Sequence, residues 1–171
     1  MDTAALCLAD LASLMRKARV LAEGAIAQVS DEDLFRQIDP ETNSIAIVMR
    51  HTAGNLKSRF TGFLTSDGEK PDRDRDGEFE MPVGTTRETV IADWDLGFSR
   101  LDATLAELTP ADLTREVRIR GEAMTALEAL HRSLAHLSLH VGQIVLLAKH
   151  LAGSRWRTLS IPKRRSGEAI S

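Results

Sequence analysis

Apolar residues recur at spacings of three and four along four stretches of the chain, the period of a helix with one buried face. The first stretch covers Thr3 to Gln28, with Leu11, Leu14, Ala18, Leu21 and Ala25 as its stripe. The second runs through IAIVMRHTAGNLKSRFTGFL to Leu64, with Asn43 or Ser44 as N-cap. The third covers Arg87 to Leu108 and presents Ile91, Trp94, Phe98, Leu101 and Leu105. It opens with Thr85 and Glu88 at capping-box spacing and stops before Pro110. The fourth opens with Thr125 and Glu128 at the same spacing and runs to Leu151, ahead of Gly153.

The segments between these stretches differ in character. SDEDLFRQIDPETN is polar and predicts a connection with one short turn near Leu34 and Phe35. SDGEKPDRDRDGEFEMPVGT is long and charged and carries Pro71 and Pro82. Structureless loops of that length are uncommon in compact domains. A long connection can cross a helical bundle and leave its neighbours parallel, where a short one makes them antiparallel. The segment therefore predicts a crossover, which could also lie over a site as a lid; a solvated loop without a role is the alternative. TREVRIRGEAM alternates charged and β-branched residues up to Gly121, the pattern of a short extended segment or small hairpin. Gly54 and Gly62 fall inside the second stretch, each weakening a helix by about 1 kcal/mol relative to alanine. Gly54 stands three residues beyond His51, so it marks either a close helix–helix approach there or a tolerated surface glycine. The expected fold class is all-α: one domain over residues 1–171, with four helices and a long crossover between the second and third.

Composition narrows the function. The 171 residues are 43% hydrophobic and 27% charged, ordinary for a globular protein. Aromatics make up 4%, tyrosine is absent, and the formal net charge is −3. Stacking platforms and a general attraction to phosphate backbones are thus both lacking, which argues against nucleic acid as a partner. Lys163, Arg164 and Arg165 form a short basic run near the end, of the kind that is usually just solvated. A single cysteine, Cys7, excludes an internal disulfide and suits a reducing compartment; its neighbour Leu11 suggests a small buried residue. The start MDTAALCLADL has no signal-peptide layout, and no apolar run reaches the roughly 20 residues of a membrane span. The expected location is cytoplasmic, with no membrane contact.

The candidate chemistry lies in the histidines. His136 and His140 sit four apart in HLSLHVGQIVLLAKHL, so they lie about 40° apart around the helix and one turn apart along it. Both imidazoles can reach one point beside the helix. His51, from VMRHTAGNL on another helix, could supply a third nitrogen and leave an open position, the arrangement of a catalytic metal. His131 lies about 140° round from His136, and His150 about 80° round from His140 and roughly 15 Å along, so neither shares that point. Asn55 shares the face of His51, and Gln143 that of His136; both amides suit contacts to ligand imidazoles or to a substrate. Hydrogen-bonded or exposed histidines with no metal are the competing explanation. The residues between the pair are Leu, Ser and Leu, so no carboxylate stands where zinc proteases of the HExxH type place their base. Asp93 and Asp95 are candidate bases by charge alone.

Three runs carry a family resemblance: SIAIVMRHTAGNLKSRFTGFLTSDGEKPDRDRDGEFE, RGEAMTALEALHRSLAHLSLHVGQIVLLAKHL and the closing W-x-x-LSIP, together spanning most of Ser44 to Pro162. On these the chain resembles the DinB-like superfamily of four-helix-bundle metalloproteins, and within it a bacterial subfamily of unknown function. The resemblance implies an up-down-down-up bundle holding a divalent metal, zinc or nickel, on three histidines. The family's ligand positions fall on His51, His136 and His140. It also implies a homodimer and metal-dependent chemistry with a small-molecule substrate, in which a low-molecular-weight thiol or water is activated for nucleophilic attack. The alternative is a non-catalytic module that binds a metal or a small ligand. Leu137 and Leu139 stand where relatives often carry aromatics, and the end KRRSGEAIS departs from the subfamily's glycine–serine element.

Overall fold

The protein, seen in a computed structural model, is described over residues 2–161. The basic run Lys163–Arg165 and the end of the W-x-x-LSIP run lie outside these residues. Five helices form in chain order: α1 (Thr3–Ile26), α2 (Asp31–Phe35), α3 (Ile45–Phe60), α4 (Arg87–Glu107) and α5 (Ala126–Ala152). Strands β1 (Glu116–Ile119) and β2 (Glu122–Thr125) make a small antiparallel sheet, pairing Glu116 with Thr125 and Ile119 with Glu122. The chain is thus mostly helical but not all-α. The strands are the hairpin that the alternation up to Gly121 predicts. Its two-residue turn has Arg120 and Gly121 at φ 56° and 78°, matching the right-handed twist of paired strands. The Asp67 carboxylate accepts both turn N–H groups, from Arg120 at 2.8 Å and Gly121 at 2.7 Å.

The helix starts follow local chemistry. Ser44 caps α3 by accepting from Ile47 N–H at 3.2 Å. Thr125 and Glu128 form the expected reciprocal box at the start of α5. At α4 the box is shifted by one residue: Thr86 is the cap and pairs with Thr89, not Thr85 with Glu88. Threonine stands at both 85 and 86, and a hydroxyl at the third helical position closes the box as a carboxylate would.

Two expectations along the chain need correction. On α1 the buried residues are Leu11, Met15, Ala22, Ala25 and Ile26, while Leu14 and Leu21 are 39% and 36% exposed. Those two leucines sit about 60–80° round the helix from Leu11, at the margin of the buried face. α3 ends at Phe60 rather than Leu64. Thr61 is extended, Gly62 takes φ 59°, and its carbonyl accepts from Thr65 and Ser66 N–H at 2.9 Å each. Gly62 is therefore the residue that lets the chain turn away, not a weak point inside the helix.

The four long helices pack as α3 on α4, α1 on α5 and α3 on α5. α3 and α4 run parallel: Ala53 meets Gly97, and Thr104 donates to the Phe60 carbonyl at 2.9 Å. α1 runs against α4, since Arg19 pairs with Asp95 while Arg87, at the start of α4, reaches the carbonyls of Ile26 at the end of α1 and of Val29 just beyond it. The long segment between α3 and α4 is thus a crossover. Trp94, Phe98, Met15, Ile45, Met49, Leu130, Leu137 and Ile144 fill the shared core, each under 2% exposed. Gly97 marks a close approach of α3 and α4: a Cβ there would sit 3.0 Å from both Cα and O of Ala53. No helix among the described residues is long and apolar enough to cross a membrane.

Candidate metal centre

α3 is buried on almost every side, because α4, α5, α2 and a 3-10 turn at Gly77–Phe79 all pack on it. Its polar residues therefore need partners from other segments. His51, 5% exposed, is one of them. Its Nε2 lies 3.2 Å from Nε2 of His136, which lies 3.1 Å from Nε2 of His140. The ligating atoms of the three residues are all within 4.8 Å of one another. Three histidines from α3 and α5 thus lie close enough to hold a metal ion. His131 and His150 are exposed and stand apart, as their helical angles require.

The far nitrogens decide what the near ones offer. His51 Nδ1 donates to Glu78 Oε2 at 2.9 Å, and His140 Nδ1 donates to Gln143 Oε1 at 2.8 Å. In the neutral rings this leaves a bare lone pair on both Nε2 atoms. Only His136 can then offer an N–H among the three facing nitrogens, so lone pairs converge with too few protons between them. Such a donor set suits a cation. With metal–nitrogen bonds of about 2.0–2.1 Å, separations of this size subtend about 100° at a common ion, between octahedral and tetrahedral angles.

Protonation is disfavoured as well. Burial pushes the His136 imidazole down to about 4, helped by the neighbouring charges of His140, His51, Arg73 and Arg59. Burial also lowers His140, against the hydrogen bond to Gln143, and His51 adds to the lowering. For Glu78, burial raises the pKa, but hydrogen bonds from His51 and Arg73 and the charge of Arg73 outweigh it and hold the carboxylate ionised.

Glu78 is the site residue that sequence reasoning missed. It comes from the crossover and is 9% exposed. Arg73 grips it through two hydrogen bonds, Nε to Oε1 at 2.7 Å and Nη2 to Oε2 at 2.8 Å. Arg73 also reaches Glu69, which Arg59 and Arg120 bind from α3 and the hairpin. Further anchors hold this segment down. Gly68 N–H donates to the Arg118 carbonyl at 2.7 Å, and the Gly68 carbonyl accepts from Ser58 Oγ at 2.7 Å. The only sequence signal was an acidic residue next to Phe79, whose ring lies 4.6 Å from that of His51.

The remaining candidates fall as follows. Gln143 touches His140 as described. Asn55 is buried, but among the described residues it makes no hydrogen bond to the three imidazoles. Being four residues along, it shares the face of His51 but lies a turn away along α3. Asp93 pairs with Lys57 at 3.0 Å and Asp95 with Arg19 at 2.8 Å, so neither is a base at this site. Cys7 is free and half-buried against the core. Two cavities flank the cluster. One of about 520 Å³ lies behind Glu78, between Arg50, Gly54, Lys57, Lys70 and Arg73. The other, of about 510 Å³, lies behind Gln143, between Ile38, Val48, Leu146 and His150. Neither is lined by His51, His136 or His140.

Fold and site together define a mostly helical protein with a convergent three-histidine cluster. The chain belongs to the family described as "Protein of unknown function (DUF1572)", which it matches over residues 2–165. No curated protein and no solved structure matches it.

Proposed function

We propose that this protein is a DinB-like, up-down-down-up four-helix bundle that binds one divalent metal ion, zinc or nickel, on His51, His136 and His140, and that it is a metal-dependent enzyme. The observation that carries this reading is the pair of Nδ1 acceptors, Glu78 and Gln143, which turn two Nε2 lone pairs toward His136 Nε2. When bound, a divalent ion on three neutral ligands supplies the Lewis acidity that lowers the pKa of a thiol or a water. The residues of the chain do the rest. His51 is fixed by Glu78, His140 by Gln143, and burial of His51 against Phe79 keeps water from its inner face. Glu78 is engaged by both His51 and Arg73 and so is not free to take a substrate proton. Nucleophile activation therefore rests on the metal, which favours a thiol, with its already low pKa, over water. A small-molecule electrophile would be the second substrate.

A non-catalytic metal-binding module is the second reading. It is favoured by the two cavities, which are not lined by His51, His136 or His140, and by the absence of a free carboxylate at the cluster among the described residues.

Metal analysis of the untagged protein tests the binding. One equivalent of metal is expected. His136→Ala or His140→Ala should lose it, because two ligands seldom hold the ion, while His131→Ala and His150→Ala keep it. Equal loss in all four variants would refute the assignment. Cobalt-substituted protein then separates the two readings. A sulfur-to-metal charge-transfer band on adding a low-molecular-weight thiol supports thiol activation. A spectrum indifferent to every thiol tested shifts weight to water, and a fourth protein ligand favours the non-catalytic module.

A further inference from the structure

Gly54 stands on α3 one turn beyond His51 and faces the crossover, not a neighbouring helix. A Cβ built on it would lie 2.0 Å from Oε1 of Glu78 and 2.5 Å from its Cδ. No carbon can occupy that position while the carboxylate stays where it is. The same carboxylate receives the His51 Nδ1–H on Oε2 and is held from the other side by the two-pronged Arg73 guanidinium. Glu78 thus fits a slot with three walls: the bare backbone of Gly54, the fork of Arg73 and the edge of His51.

We propose that Gly54, Glu78 and Arg73 form a positioning device that locks His51 in its Nδ1–H tautomer and so readies its Nε2 for a metal before any metal arrives. The part that concerns metal rests on the three-histidine reading above; the lock itself does not. A helical glycine is normally a weakness, since alanine there would favour the helix. Here the missing methyl is the space in which the carboxylate sits. Arg73 sets the register of Glu78, because a bidentate guanidinium–carboxylate pair is planar and fixes both oxygens at once. Glu69 extends the device to the hairpin, where Arg120 binds it, so that the crossover is anchored at both ends of its buried part.

The device makes an unusual prediction about one substitution in different backgrounds. In the wild-type background, Gly54→Ala should lower the melting temperature of the metal-free protein, because the new methyl expels the carboxylate. In a Glu78→Ala background the same change should raise it, because the slot is empty and alanine favours the helix. In a Glu78→Gln background, where the side chain keeps its size, it should lower it again. The same sign in all three backgrounds would overturn the slot. Long-range ¹H–¹⁵N NMR of the metal-free protein should find His51 as a single Nδ1–H tautomer. That signature should be lost in Gly54→Ala and in Glu78→Ala, and its persistence in either would overturn the tautomer lock. Zinc competition against a chelating dye completes the test. Gly54→Ala and Glu78→Gln are each expected to weaken zinc by about 10- to 100-fold. If the wild type binds zinc and Gly54→Ala binds it equally well, the positioning role fails while the metal reading stands. If the wild type binds no zinc, nickel or cobalt, the metal reading fails, and the sign reversal and the tautomer still decide the lock.

Discussion

At the scale of single residues, the cluster is held by where protons sit. His136 and His140 are both easier to keep neutral in the folded chain than in the unfolded one, His136 down to about 4 from 6.5. Between about pH 6.5 and 4 the unfolded state therefore binds protons that the folded state refuses, so stability rises with pH across that window and falls on acidification. Glu78 has a lowered pKa, so its contribution is present above the usual carboxylate value and is lost as pH falls through its folded one. The urea midpoint of the metal-free protein should accordingly drop as pH is taken from 6.5 to 4. Replacing His136 and His140 together by glutamine should flatten the upper part of that curve and leave the more acid limb. A curve with the same slope in wild type and variant would show that these histidines are not shielded as the fold implies.

Elements bring these residues to their places, and close approach is the main device. Gly97 of α4 lies against the backbone of Ala53, two residues beyond His51, so the seam of α3 and α4 passes beside the site. A larger residue there meets main chain rather than a flexible side-chain end. Gly97→Val should destabilise the protein by about 1–3 kcal/mol, the usual range for overpacking a well-filled contact, measured by chemical denaturation. An unchanged midpoint would mean that the seam yields easily. The capping box of α5 was readable from residue type, and the α3 cap as Asn43 or Ser44, because a cap is closed within four residues. The one-residue shift from Thr85 to Thr86 arose where two threonines compete. Two glycines in one helical stretch had unlike reasons, one a turn and the other a slot, and only the neighbours distinguish them.

For the whole molecule, α5 carries an exposed apolar strip without a partner among the described residues. Leu139 and Leu146, seven apart on α5, are 61% and 69% exposed, and nothing lies within 4 Å of a Cβ built on Gly142 between them. We propose that a second copy of the chain covers this strip in a two-fold homodimer, the closed form that most small assemblies take. Light scattering at micromolar concentration should report a dimer, and Leu139→Glu with Leu146→Glu should report a monomer that still binds metal. A wild-type monomer up to millimolar concentration would remove the dimer from consideration.

The amino-acid sequence by itself determined what is local. Four helical periods, the Thr125–Glu128 box, the hairpin before α5 and the pairing of His136 with His140 all follow from spacings within a few residues, where the backbone period alone sets the geometry. His51 could be matched to that pair only as a candidate, because 85 residues separate it from His136 and no local rule sets their distance. Tertiary structure decided that the three Nε2 atoms converge, that Glu78, 27 residues from His51, supplies its acceptor, and that Asn55, Asp93 and Asp95 do not belong to the cluster. The crossover concealed the most. Its charges gave no sign of burial, yet the side chains of Arg73 and Glu78 are buried there, each neutralising the other. A buried ion pair leaves no trace in a hydrophobic pattern, since its stability comes from a partner brought in by the fold and not from the residues beside it.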